Sequence, residues 1–163
     1  MDVSMDQYDH RLFAVEQFRN FICLIETGWH QLHGALEPLS IEEIESPGTC
    51  GEWSVRDLIA HLTSWDTIAV GKVQTIVDDS NSDTMETTQQ FNERAIQESL
   101  GLSIARLMSN FATRHRTLLD ALHAATGQSG EILERIEWTV GEDTWKHYEI
   151  HRSQIQSRFT RIR

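Results

Sequence analysis

A chain of 163 residues with 39% hydrophobic and 24% charged residues is sized and composed for one soluble domain that buries its core without staples. Its formal net charge of −11, from 14 Lys plus Arg against 25 Asp plus Glu, repels phosphate backbones and anionic lipid, which argues against nucleic acid and membrane as partners. No run approaches the roughly 18 apolar residues of a membrane span, and the start "MDVSMDQYDHRLF" lacks the basic-then-apolar order of a signal peptide, so a cytoplasmic location is expected.

The first helix is expected over about 6–36. Val15, Phe18, Ile22, Ile25, Trp29, Leu32 and Leu36 recur three and four apart, a bundle seam sustained for three heptads. Cys23 lies inside this run and reads as packing, whereas Cys50 in "PGTCGEW" reads as an exposed loop thiol. A disulfide between them stays open but finds no support in a reducing compartment. Both prolines, Pro38 and Pro47, fall in the connection that follows, so the rest of the chain is free to be helical. "SIEEIESPGTCGEW" reads as a loop.

Ser54 opens "SVRD", a capping box in which Asp57 reaches back to the cap. The second helix then runs to about Asp78, with Val55, Leu58, Leu62, Trp65, Ala69, Val73 and Ile76 on one stripe. "DDSNSDTMETT" is the turn out of it, and the short connection favours an antiparallel step into the third helix. That third stretch spans roughly 85–125. It breaks near Gly101 and restarts at a Ser103 cap, with Ile104, Leu107, Phe111, Leu118 and Leu122 on its buried face. Gly127 and Gly130 mark the next break, and "IEWTV" is the one short strand candidate. The last helix is expected from about Gly141 to Ile162, with Trp145, Tyr148, Ile155, Phe159 and Ile162 as its stripe. Arg158, Arg161 and Arg163 complement the dipole at its C-terminal end. Four amphipathic helices imply an all-α four-helix bundle, a single domain over residues 1–163.

Eight histidines give a metal reading some weight. His147 and His151 in "DTWKHYEIH" stand one turn apart, so their imidazoles leave the same side of the last helix. His61, in "GEWSVRDLIAHLTSWD", sits beside Leu58 and Trp65 at the edge of the second stripe. The margins of buried faces are where bundles build interior metal sites. His61 lies roughly 10 Å along its axis from the Ser54 cap, and His147 and His151 roughly 6 and 12 Å along theirs if the last helix begins near Asp143. The three share a level if the two helices run parallel as neighbours or lie diagonally. Imidazole suits zinc, and equally nickel, copper or iron, and three protein ligands leave a position for water or substrate.

The plainer reading is that such histidines are solvated or satisfied side chains, and His30, His33, His115 and His123 are read that way. His10, near a terminus, carries no reading. Asp57 reads as the capping acid, with orienting His61 one turn later as the alternative, and Asp66 reads as a surface acid, with a base near the site as the alternative. The five tryptophans are core and lip residues, of which Trp53, Trp65 and Trp145 flank the ligand candidates. No Gly-rich phosphate loop, nucleophile elbow or CxxC is present.

"GEWSVRDLIAHLTSWD", the later "FNERAI" and the final "HYxxH" of "DTWKHYEIH", in that order, resemble the DinB/YfiT-like superfamily of four-helix-bundle metalloenzymes. The closer likeness is to its DfsB-like and maleylpyruvate-isomerase-N-terminal-like branches. The resemblance covers most of the chain and implies a divalent metal, nickel or zinc, held by His61, His147 and His151. It further implies, in the thiol-dependent branches, a low-molecular-weight thiol such as bacillithiol, mycothiol or glutathione, for whose carboxylates Arg56 and Arg152 are the nearest basic residues.

The function expected on this basis is a metal-dependent hydrolase or a thiol-dependent transferase or isomerase acting on a small electrophilic molecule. One alternative is a protein of the same fold that binds or sequesters a small molecule without turnover, as resistance proteins do. Another is a bundle that serves only as a dimerisation module, and a homodimer is compatible with each reading.

Overall fold

The computed structural model describes residues 5–80 and 86–160, with side chains from residue 11 onward. Arg161, Ile162 and Arg163, assigned above to the end of the last helix, lie outside the described residues, as does the middle of "DDSNSDTMETT". The elements are α1 (Met5–Leu36), α2 (Ile41–Glu45), α3 (Val55–Val77), α4 (Thr88–Ser99), α5 (Ile104–Ala125), α6 (Gly130–Val140) and α7 (Trp145–Phe159). There is no strand among the described residues, and one isolated bridge pairs Cys50 with Trp53.

Two local expectations are corrected. The stretch read as a loop contains α2, because Ser40 and Glu43 form a capping box of their own and Ile44 is buried beneath it. "IEWTV" is the second half of α6, capped by Ser129, with Leu133, Ile136 and Val140 buried at three- and four-residue spacing. A run that short is ambiguous in its period until the residues before it are counted in.

At the start of α3 the capping box forms as expected. The Ser54 amide donates to Asp57 Oδ2 at 2.8 Å, and the Asp57 amide donates to Ser54 Oγ at 3.2 Å. Ser54→Ala is expected to lower stability by about 1 kcal/mol, measured by denaturant titration; an unchanged midpoint would contradict this role for the cap.

Contacts between helices fix the topology. Arg11 donates to the Gly127 carbonyl, Gly130 packs on Ala14, Gly141 on Phe21, and Gly28 on Tyr148. Sequence numbers rise together along both partners, so α6 and α7 form one rod, broken at 141–144, that runs parallel to α1. Along α3 and α7 they run oppositely: His61 meets His151 and His147, Asp66 meets Tyr148, and Lys72 meets Asp143. Arg56 at the start of α3 reaches Leu102 just ahead of α5, and halfway along the two helices Asp66 and His115 both reach Tyr148, so α3 and α5 point the same way. The result is an up-down-down-up four-helix bundle, with α4 in the crossover between α3 and α5. This corrects the antiparallel step expected after α3. Arg56 donates to the carbonyls of Ser99 at 2.9 Å and Leu102 at 2.6 Å. It thus pins the start of α3 to the α4–α5 link, and is engaged there rather than free for a carboxylate ligand.

The core gathers Phe18, Ile22, Ile25 and Leu32 of α1, Leu58 and Leu62 of α3, Phe111, Leu118 and Leu122 of α5, and Tyr148 and Ile155 of α7. Cys23 is exposed, since it lies about 130° round the helix from the Phe18–Trp29 stripe at 100° per residue. Cys50 is partly buried, and both thiols are free. Trp29 is core, but Trp138 is neither core nor lip, at 88% exposure. Among the described residues no helix is long and apolar enough to cross a membrane.

Candidate metal centre

His61 sits six residues into the capped α3, and His147 and His151 occupy the first two turns of α7. The structure brings all three together: one ring nitrogen from each lies within 4.8 Å of the others. His61 Nε2 and His147 Nε2 are 2.9 Å apart, and the His61 and His151 ring centroids 5.2 Å. They meet through antiparallel helices, not by the parallel arrangement weighed from helix-start heights. Those heights were counted from Asp143, whereas the fourth rod begins with α6, well before it.

His61 and His151 are 5% and 6% exposed. Burial is the main force holding the imidazoles neutral. It pushes His61 down to about 3, helped by repulsion from His147 and His151, and His147 down to about 4, helped by repulsion from His151 and partly offset by a hydrogen bond to the Asp143 backbone. His151 is lowered by burial as well, against the effect of its bond to Gln154. Neutral imidazoles are what a divalent ion requires.

Gln154 Oε1 lies 2.7 Å from His151 Nδ1, so Nδ1 donates and Nε2 keeps its lone pair in the neutral ring. Two Nε2 atoms at 2.9 Å either share a proton or share an ion, and bonds of about 2.1 Å from each to one ion are compatible with that spacing. No cysteine or carboxylate joins the group among the described residues. The donor set therefore fits a borderline ion such as zinc or nickel and suits a hard, oxygen-seeking ion poorly.

Trp53 lies 5.0 Å from the His61 ring, and Trp65 lies 6.1 Å from His61 and 5.7 Å from His147. Trp65 in turn donates to Asn92 Oδ1 at 3.1 Å. Asn92 belongs to the "FNERAI" segment, which falls on α4. Trp145 does not wall the site; it packs near Gly28 and Gly141. The other histidines with described side chains stay apart from the centre. His115 is buried and stacked on Trp29 at 4.6 Å, His33 lies 3.5 Å from Glu37, and His30 and His123 are exposed.

Asp66 is not a surface acid. It is 0% exposed, accepts from Tyr148 Oη at 2.5 Å, and burial pushes its carboxyl up to about 8. The signal was present in the sequence, because Asp66 stands four after Leu62 and three before Ala69 and so lies on the buried side of α3. Gln154 and Tyr148 were invisible as site neighbours, since nothing in their spacing says what they face.

A family model described as the mycothiol maleylpyruvate isomerase N-terminal domain matches residues 25–144. The matched span includes His61 and stops short of His147 and His151. No curated protein and no solved structure matches the chain.

Proposed function

Because the chain belongs to the mycothiol maleylpyruvate isomerase N-terminal domain family, within the DinB/YfiT-like superfamily, we propose that it is a metal-dependent enzyme acting on a small electrophilic molecule. His61, His147 and His151 hold one divalent transition metal, nickel or zinc. The reaction is a hydrolysis or a transfer or isomerisation that uses a low-molecular-weight thiol. The observation that carries this reading is the meeting of three neutral imidazoles from two helices within 4.8 Å, with no acid competing for them.

The ion would supply Lewis acidity and lower the pKa of a water or thiol at its remaining position. The chain's own residues set the stage for that chemistry. Gln154 fixes the tautomer of His151, and the Asp143 backbone orients His147, as partners of ligating histidines do. Trp53 and Trp65 limit the access of bulk water. Beside the centre lies a cavity of about 790 Å³ between α3, α4 and α5, of which Trp65, Phe91, Lys72 and Arg94 are walls. None of the three histidines lines it, so the small molecule passes Trp65 to reach them. Trp65 is the wall that this cavity shares with His61 and His147.

Protein purified without an affinity tag is expected to carry close to one nickel or zinc ion per chain. The absorption of its cobalt-substituted form should change on adding azide or a small thiol, because only three protein ligands converge. Protein that stays metal-free after incubation with nickel and zinc overturns the reading. A cobalt spectrum indifferent to both additives overturns the open position, and with it turnover at the ion.

A further inference from the structure

The register of α7 against α3 sets the distances among the three imidazoles, because His61 rides on one helix and His147 and His151 on the other. α3 rests chiefly on α5, and α7 on α1, while α3 meets the α6–α7 rod more through α6 than through α7. Two polar links tie α3 to this rod apart from the histidines. Tyr148 Oη donates to Asp66 Oδ1 at 2.5 Å, and Lys72 Nζ donates to Asp143 Oδ2 at 2.5 Å. The second link is partly exposed, whereas both members of the first are 0% exposed.

We propose that Asp66 is a positioning residue for the three-histidine centre, acting through Tyr148 to lock α7 in register with α3. The proposal rests on the metal reading above. Its placement is specific: Tyr148 directly follows His147 and comes three before His151, and Asp66 comes five after His61.

The tyrosine ring is seated from two other sides, by Gly28 of α1 and by Phe111 of α5 at 6.3 Å. Its hydroxyl reaches α3 at Asp66, with His115 Nδ1 of α5 3.4 Å away. Asp66 finds no cation in this setting, and its Oδ2 has no partner. A carboxyl buried so is a poor way to gain stability, where an apolar side chain of like volume does better. What it adds is direction, since a hydrogen bond holds one register and apolar packing tolerates several.

Tyr148→Phe removes the hydroxyl and leaves the ring packing in place. Nickel or zinc titration in the presence of a competing chelator is expected to show affinity lowered by about tenfold, the lower end of what outer residues of metal sites cost. The cobalt spectrum should shift with it. Asp66→Asn keeps an acceptor oxygen for the tyrosine and should stay near wild type on both readouts, although its charge behaviour is gone.

A Tyr148→Phe protein that unfolds cooperatively when metal-free, yet has wild-type affinity and a wild-type cobalt spectrum, overturns the proposal, even if its stability is reduced. Should that variant not fold, Asp66→Leu removes the acceptor at similar volume and is read by the same two outcomes. Wild-type protein that binds no ion overturns the metal reading and this proposal together, whereas unchanged affinity in the variant overturns this proposal alone.

Discussion

Replacing His61, His147 or His151 by alanine is expected to abolish nickel or zinc retention while leaving the metal-free fold nearly as stable as wild type. With one imidazole gone, two ligands remain, fewer than the three or four that zinc sites in proteins typically use. The small cost to the metal-free fold follows from the hydrogen bonding. His61 Nδ1 is buried without a partner, so truncation removes an unsatisfied polar atom together with the ring. The Gln154 bonded to His151 is only half-buried and can turn to water.

The sequence places these residues at the margins of buried faces, and the structure buries His61 and His151. The loss that remains is a cavity term on the order of 1 kcal/mol, to which His61→Ala and His147→Ala add the loss of the 2.9 Å contact between their Nε2 atoms. Histidines that held the core through satisfied hydrogen bonds would instead cost about 1–3 kcal/mol for each partner orphaned. Metal analysis and denaturant titration of the three variants separate the cases. Unchanged metal content with a large loss of stability would show these residues to be core histidines.

Acidification is expected to unfold the metal-free protein well before its carboxylates are protonated. His61 is held at about 3, His147 and His115 at about 4, and His151 below its ordinary value, all chiefly by burial. In the unfolded chain each titrates near 6.5. Above that value neither state is protonated, and the contribution of these groups to stability is fully present. Below it the unfolded chain takes up protons that the fold refuses. Stability therefore falls by up to about 1.4 kcal/mol per pH unit for each histidine until the folded values are reached.

Asp66 works in the opposite sense. Its folded value of about 8 means the fold keeps a proton that the unfolded chain sheds above 3.8, so its contribution is full at low pH and is lost as pH rises toward 8. Between pH 6.5 and 4 four histidines outweigh one aspartate. The denaturant midpoint of metal-free protein should drop steeply across that interval, and bound metal should leave over the same interval as protons compete for the imidazoles. A midpoint that is flat from pH 7 to 4.5 would refute the burial of neutral histidines.

Much of this was legible because it is local. The seam of α1, the Ser54–Asp57 cap, the Ser103 cap and the three ligand candidates were each readable from periodicity or a short signature, and the motif order pointed to the family. What was not legible was the direction of travel. Nothing in "DDSNSDTMETT" says that the chain crosses the bundle, with α4 in the crossover, so that α5 runs the same way as α3. Without that, the heights of His61 and His151 could only be compared from an assumed start. The break at 141–144 hid α6 for the same reason: a rod interrupted by one turn looks in sequence like a loop before a new helix. Asp66 was misplaced for a different reason. Polarity was allowed to outvote position, although its neighbours at three and four residues are Ala69 and Leu62.

The parallel pairing of α1 with the α6–α7 rod has a consequence in time. In a bundle of successive hairpins each helix meets its partner as the next one is made. Here Arg11 waits for Gly127, 116 positions later in the chain. At about 5–20 residues per second a ribosome needs roughly 6–23 s to cover that distance. Throughout that interval Phe18, Ile25 and Leu32 of α1 lack the part of their packing surface that the α6–α7 rod supplies. The fold therefore exposes its longest apolar seam early and covers it late, which makes the nascent chain, rather than the finished protein, the form most in need of a chaperone.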